Sequence, residues 1–218
     1  MKTKEEIKEF YDNAYKDNYE GTVFNPNMQH SLPFWLGFME YIRPFTKEHK
    51  VLEIGCGDGR IIHCLADKAG EITGIDISKV AIEKAKDILK KKLNTKLYVA
   101  DNIRFLPDNY FDLIFEITTF QHMLKVHIME YVAQCYQKVK DDGYCLFQVI
   151  DGVCDNEIEG SLKDKTQNFS NWTQEEFRTM LEHYKFKIVS FNIHDIGFLV
   201  NYKRNYYSYY VIAQKNEK

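Results

Sequence analysis

Short apolar runs alternate along this chain with stretches whose apolar positions recur every three or four residues. The first pattern predicts strands and the second amphipathic helices. Residues 50–56, centred on Val51-Leu52-Glu53-Ile54, predict a strand, and residues 59–69 a helix with Gly70 as its C-cap. Residues 71–77 alternate like a second strand. Ser78 then predicts the N-cap of a helix to about residue 92, burying Ala81, Ala85, Ile88 and Leu89. Residues 96–101 predict a third strand and residues 111–118 a fourth. Apart from Asp112, residues 111–115 of the fourth are apolar, as a central strand buried on both faces should be. Thr119-Phe120-Gln121-His122-Met123-Leu124 leads into a helix to about residue 139. Asp141-Asp142-Gly143 is a turn, and residues 144–150 predict a fifth strand. Thr173 and Glu176 form a capping box for a further helix. Residues 187–194 and 207–214 predict a final pair of strands.

Three regions lie outside this alternation. Residues 1–30 are polar but rich in aromatics, and Tyr11, Tyr15 and Tyr19 would share one helix face. Two roles fit that face: packing on the domain, or acting as a lid over a bound ligand. Gly21 and Pro26 break this helix. Ser31 and Pro33 open another, carrying Phe34, Trp35, Phe38, Met39 and Tyr41 and ending before Pro44. Residues 151–171 are polar and aperiodic, and they follow the carboxyl end of a strand, the edge where α/β sheets bind ligands. The connection between the last two strands carries Phe198, Tyr202, Lys203 and Arg204.

The glycine turn after the first strand changes the picture from fold to chemistry. Strand, glycine turn and helix form the nucleotide-binding corner of a doubly wound α/β domain. Glycines permit positive φ and let a ligand approach bare backbone. The spacing is G-x-G-x-G with Arg60 in the sixth place, which departs from the G-x-G-x-x-G of dinucleotide sites. Asp76 ends the second strand near the offset at which such sites place a carboxylate on ribose hydroxyls. Ile77, next to it, would offer an apolar face to the base.

Composition narrows the field. The 218 residues, 44% hydrophobic, suffice for one domain with a sizeable core, expected as residues 1–49 entrance and lid, then residues 50–218 as α/β core. A net charge of −3 and a pI near 6.2 disfavour a nucleic-acid partner. No apolar run suits a bilayer span or a signal core, so no membrane association is expected. The five cysteines form no C-x-x-C pair, which indicates neither zinc nor a disulfide framework and fits a reduced, cytoplasmic setting. The lysines at 84, 86, 90, 91 and 92 suit either a phosphate patch or a solvated helix face, and their place at the helix C-terminus favours the second.

With Glu53 before the turn, Glu53-Ile54-Gly55-Cys56-Gly57-Asp58-Gly59 reads E-x-G-x-G-x-G. It resembles the first motif of class I S-adenosylmethionine-dependent methyltransferases, and residues 50–214 resemble that family in layout. The resemblance implies a Rossmann-like, seven-stranded sheet, mostly parallel with the last strand antiparallel between the fifth and sixth, and helices on both faces. It implies S-adenosylmethionine as cofactor. Glu53, Gly55, Cys56, Gly57, Asp76 and Ile77 would hold it, Asp101 would accept from the adenine amino group, and the backbone of Asn102 would meet a ring nitrogen. Tyr15, on the lid face, and Glu116, at the end of the fourth strand, complete that set. The Phe111-Asp112-Leu113-Ile114 pattern resembles the family's fourth motif. The N-P-P-Y, D-P-P-Y and Pro-Cys tips are absent, which leaves the broad group acting on small-molecule oxygen, nitrogen or carbon. No metal is called for, since His122 and His127 would not share a helix face.

His122 is the candidate catalytic base, with an unperturbed pKa near 6.5 suited to proton removal at neutral pH. Turnover should then rise with pH through that range. The alternative is a histidine that caps the helix start or holds a backbone carbonyl. The acceptor is expected against Gln121–His122, residues 151–171 and the connection near Tyr202. A noncatalytic cofactor-binding subunit and a nicotinamide-dependent oxidoreductase are the rival functions.

Overall fold

The computed structural model describes residues 3–16, 46–151, 170, 172–195 and 207–216. The helix expected near residues 31–43, most of residues 151–171, Tyr19 and the connection around Tyr202 lie outside them. Seven strands form a sheet in the order β3-β2-β1-β4-β5-β7-β6, numbered along the chain. The chain divides into two compact units, Met1–Asn102 and Ile103–Lys218.

In the first unit, α1 (Lys4–Lys16) precedes β1 (Lys50–Ile54). Then come α2 (Arg60–Leu65), β2 (Glu71–Asp76), α3 (Lys79–Ile88) and β3 (Thr95–Val99). β1 pairs parallel with β2 and β2 parallel with β3. Val51, Leu52 and Ile54 are buried on both faces of β1, as are Ile72 and Ile75 on β2. β3 ends the sheet and leaves Tyr98 and Val99 exposed. The α3 cap forms as expected, with Ala81 N–H donating to Ser78 Oγ at 3.1 Å. The helix stops at Ile88, and Ile82 joins Ala81, Ala85 and Leu89 as its buried members. Gly70 is not a helix C-cap; Ala66 takes that place in right-handed geometry. Gly70 is needed because a Cβ there would collide with the Lys47 carbonyl, where Gly70 N–H meets His49 O at 3.0 Å.

In the second unit, β4 (Phe111–Glu116) leads through a 3₁₀ turn, Phe120–His122, to α4 (Lys125–Lys138). β5 (Val139–Asp151), α5 (Gln174–His183), β6 (Phe186–Asp195) and β7 (Tyr207–Lys215) follow. β4 and β5 are parallel, and β7 runs antiparallel to both β5 and β6. β5 begins earlier than the apolar run suggests. Phe111 pairs with Val139 and Leu113 with Tyr144, so residues 140–143 bulge from the ladder. The Asp142-Gly143 turn chemistry acts inside that bulge, where Asp142 has φ 61°. Thr173 and Glu176 cap α5 reciprocally. The core is aromatic: Phe147 stacks on Phe120 with centroids 5.5 Å apart and meets Phe177 edge-on at 6.0 Å. Such pairs add about 0.5–1.5 kcal/mol each beyond their buried area.

Candidate active site

β1 delivers Glu53 and then the glycine turn. Gly55, Gly57 and Gly59 have φ of 72°, 55° and 82°, a left-handed run open to glycine and strained for other residues. The end of β2 holds this turn in place. Gly55 and Cys56 N–H both donate to Ile75 O, at 2.8 and 2.9 Å, and Gly57 N–H donates to Asp76 Oδ2 at 2.9 Å. Asp76 Oδ1 accepts from Ser78 N–H at 2.8 Å. Gly57 and Gly59 are buried, Gly57 against the Tyr15 hydroxyl and Gly59 against Leu89 and Ala85, and Gly55 is half-buried. Burial raises the Asp76 carboxyl to about 6, although both backbone bonds pull it down. Glu53 is 2% exposed, and burial pushes its carboxyl well above the usual range, with the Arg60 guanidinium offsetting part of this.

α1 lies across the carboxyl ends of β1, β2 and β3. Tyr15 is buried, and its hydroxyl lies so close to the turn that a Cβ on Gly57 would collide with it. Asp12 Oδ1 accepts from Ser78 Oγ at 2.6 Å and Val80 N–H at 3.2 Å, so it extends the α3 cap from a different element. Lys4 Nζ meets Asp101 Oδ2 at 3.0 Å and holds that carboxyl below its ordinary range. Asn102 Nδ2 donates to the other Asp101 oxygen at 2.9 Å. Lys84 Nζ bonds the Tyr15 carbonyl. Burial and then the Asp76 charge push the Tyr11 and Tyr15 phenols up, so both are neutral at physiological pH. The aromatic face of α1 does pack, and it packs on the turn where a lid would lie. Ile77 is half-buried beside Asp76.

These residues fit a nucleoside cofactor. Gly57 lacks the Cβ that would displace the Tyr15 hydroxyl, and Asp76 is a half-buried residue whose two oxygens each accept one backbone bond and keep a lone pair for a vicinal diol. Asp101 and Asn102 stand side by side, their side chains bonded to each other and, through Asp101, to Lys4. Asp12 and Lys4 were not singled out by the sequence. Nothing in the sequence pattern links Asp12 to Ser78, which is 66 positions away.

A second cluster forms at the end of β4. Glu116, expected among the cofactor-binding residues, is fully buried, and its carboxyl group turns to backbone. Oε2 accepts from Thr119 N–H at 3.2 Å and Phe120 N–H at 3.0 Å, and Oε1 accepts from Gln148 N–H at 2.7 Å. Burial drives its carboxyl up to about 8 against these bonds. Gln148 Oε1 accepts from Thr118 N–H at 2.7 Å, and Thr118 stands at φ 58°. Gln148 does carry a signal in the sequence: it is the one polar residue in Cys145-Leu146-Phe147-Gln148-Val149-Ile150. His122 Nε2 lies 3.0 Å from Gln121 Nε2; with the amide donating, the imidazole proton sits on Nδ1. Burial lowers His122 to about 4, which moves any pH inflection below the 6.5 expected of a free histidine. His127 pairs instead with Glu130 at 3.6 Å. Among the described residues no group of His, Cys, Asp and Glu could hold a metal ion. None of their helices is long and apolar enough to cross a membrane.

Comparison with known proteins follows these motifs. Residues 51–143 match the family model described as a methyltransferase domain. The chain is 30% identical over 132 residues to malonyl-acyl-carrier-protein O-methyltransferase of Priestia megaterium, a stretch of 58% of this chain and 47% of that protein. The chain thus spans about half the length of this curated relative. In fold, it superposes on the 4+2 cyclase SpnF with a TM-score of 0.77 at 14% identity, over 100% of this chain and 98% of that one. It superposes on magnesium protoporphyrin IX methyltransferase from Synechocystis PCC 6803 with a TM-score of 0.73 at 13% identity, over 98% and 99%. With the glycine turn, Asp76 and the β7 topology in place, these matches lead to one conclusion: residues 51–143 are similar to a methyltransferase domain, and the chain shares the fold of the solved structures it superposes on.

Proposed function

We propose that this protein binds S-adenosylmethionine and transfers its methyl group to a small-molecule acceptor. One observation carries the reading: a left-handed glycine turn ends the first strand, with Asp76 bonded to it and the Tyr15 hydroxyl seated where a Cβ on Gly57 would lie. The cofactor, when bound, supplies a methyl group already made electrophilic by its sulfonium. The chain's residues then have three tasks. Asp76 binds the ribose hydroxyls, and Asp101 with Asn102 reads the adenine edge. Glu53, Gly55, Cys56, Gly57 and Ile77 shape the pocket around them. Tyr15 covers the turn and excludes water. Holding the acceptor in line is the largest contribution, worth ~7–11 kcal/mol in well-oriented systems.

His122 is the proposed proton acceptor. It is neutral at physiological pH, as a base must be, but its unprotonated Nε2 must leave the Gln121 amide to take a proton, and a value of about 4 makes it weak. It suits an acceptor acidic enough to give up its proton readily, in keeping with the O-methyltransferase relative. The single-domain organisation, a cytoplasmic location and a small-molecule partner instead of nucleic acid belong to the same reading. Cofactor-binding without methyl transfer is the second reading, because one structural neighbour is named a cyclase.

Incubating the purified chain with methyl-labelled S-adenosylmethionine and a panel of carboxylic acids, phenols and amines tests the proposal. Labelled product from at least one class is expected. Tight cofactor binding with no product from any class would favour the noncatalytic reading, and binding of nicotinamide cofactors alone would replace both.

A further inference from the structure

We propose that Glu116 is a positioning residue that works with Gln148 as a clamp on residues 118–120 and thereby sets the placement of the His122 ring. The function of His122 rests on the methyltransferase reading; the clamp does not.

The geometry is closed on itself. A peptide turning sharply after a strand leaves N–H groups without ladder partners, and burying them unpaired is costly. Here the groups at 118, 119 and 120 are met in order by Gln148 Oε1, Glu116 Oε2 and Glu116 Oε2. The clamp is locked from within, since Gln148 N–H donates to Glu116 Oε1 at 2.7 Å. Each side chain thus supports the turn, and Glu116 also fixes the strand that carries Gln148. Thr118 is β-branched and sits at φ 58°, a conformation such residues avoid unless their surroundings impose it. Its hydroxyl and that of Thr119 both turn to Ile117 O, at 2.7 and 3.2 Å. Phe120, 1% exposed and stacked on Phe147, pins the far end of the turn. His122 follows at once, its own N–H donating to Thr119 O at 3.0 Å. The backbone that aims the imidazole therefore begins at a carboxyl group six residues upstream that contacts no solvent.

A glutamine at 116 has one oxygen. It serves either the turn or Gln148 N–H, and its amide nitrogen then faces another donor. Glu116→Gln keeps the volume and breaks the clamp. The experiment compares wild type and Glu116→Gln by imidazole ¹⁵N resonances of His122, by hydrogen exchange of the Thr118, Thr119 and Phe120 amides, and by affinity for S-adenosylhomocysteine. Expected are shifted His122 resonances, exchange faster by ~10-fold or more at those amides, and S-adenosylhomocysteine affinity within about twofold of wild type. Adding Thr118→Asn, which tolerates the left-handed conformation, should move the His122 signals back toward wild type. Should Glu116→Gln not fold, Gln148→Leu removes the Thr118 partner alone and should give the same shifts in smaller measure.

Unchanged His122 resonances and amide exchange in a folded variant would overturn the clamp, and so would a Thr118→Asn addition that restores nothing. A large loss of S-adenosylhomocysteine affinity would make Glu116 a cofactor ligand instead. If wild type binds no S-adenosylhomocysteine, the functional reading fails while the resonance and exchange results still judge the clamp.

Discussion

Asp76 does two jobs with one carboxylate: it ties down Gly57 and the start of α3, and it faces the proposed ribose site. Its folded value of about 6 lies above the 3.8 of a free aspartate, so the folded state binds the extra proton between those values. Stability contributed by Asp76 therefore falls as pH rises through that window, whereas ligand binding needs the ionised form. Affinity for S-adenosylhomocysteine should drop as pH falls below about 6, and calorimetry across pH should find this slope absent in Asp76→Asn. His122 works in the opposite sense. Its folded value of about 4 lies below 6.5, so the unfolded chain binds more protons between them. The stability it contributes is complete above 6.5 and is lost as pH falls toward 4, by ~1–3 kcal/mol. Urea midpoints of His122→Gln should show a shallower acid decline than wild type; parallel curves would remove His122 as the source.

At the scale of elements, α1 is held by contacts that reach the segments after three different strands of its unit: Lys4 on Asp101, Asp12 on Ser78 and Val80, Tyr15 against Gly57. If α1 is a lid, S-adenosylhomocysteine should slow hydrogen exchange across residues 4–16, and Asp12→Ala should speed it. Equal exchange with and without ligand would leave only the packing role. At the α5 cap, Thr173→Ala should cost about 1 kcal/mol in chemical denaturation, as loss of a capping side chain does. Elements built on local rules were legible in sequence: the Ser78 and Thr173 caps, the parallel strands, and the hairpin of β6 and β7. Elements decided by distant partners were not. Gly70 looks like a helix terminator until the Lys47 carbonyl is seen against it. The Asp141-Asp142-Gly143 turn looks like a strand boundary until Phe111 pairs with Val139 across it. The same distinction divides the site. Gly55, Gly57 and Asp76 announce themselves by spacing, while Lys4, Asp12 and the Glu116–Gln148 pair act through contacts far apart in sequence.

At the scale of the whole molecule, the units Met1–Asn102 and Ile103–Lys218 each carry their own core. The single-domain reading requires them to unfold together. Far-ultraviolet circular dichroism and aromatic fluorescence should trace one urea transition, whereas two separated transitions would make them independent domains. The account as a whole depends on one ligand. Its most direct test is a calorimetric titration of the intact chain with S-adenosylhomocysteine, set beside Asp76→Ala and Gly57→Val. The account predicts saturable binding of one ligand per chain, weakened by roughly 1–3 kcal/mol in Asp76→Ala and abolished in a folded Gly57→Val. Absence of binding to wild type, or equal affinity in all three proteins, would contradict it.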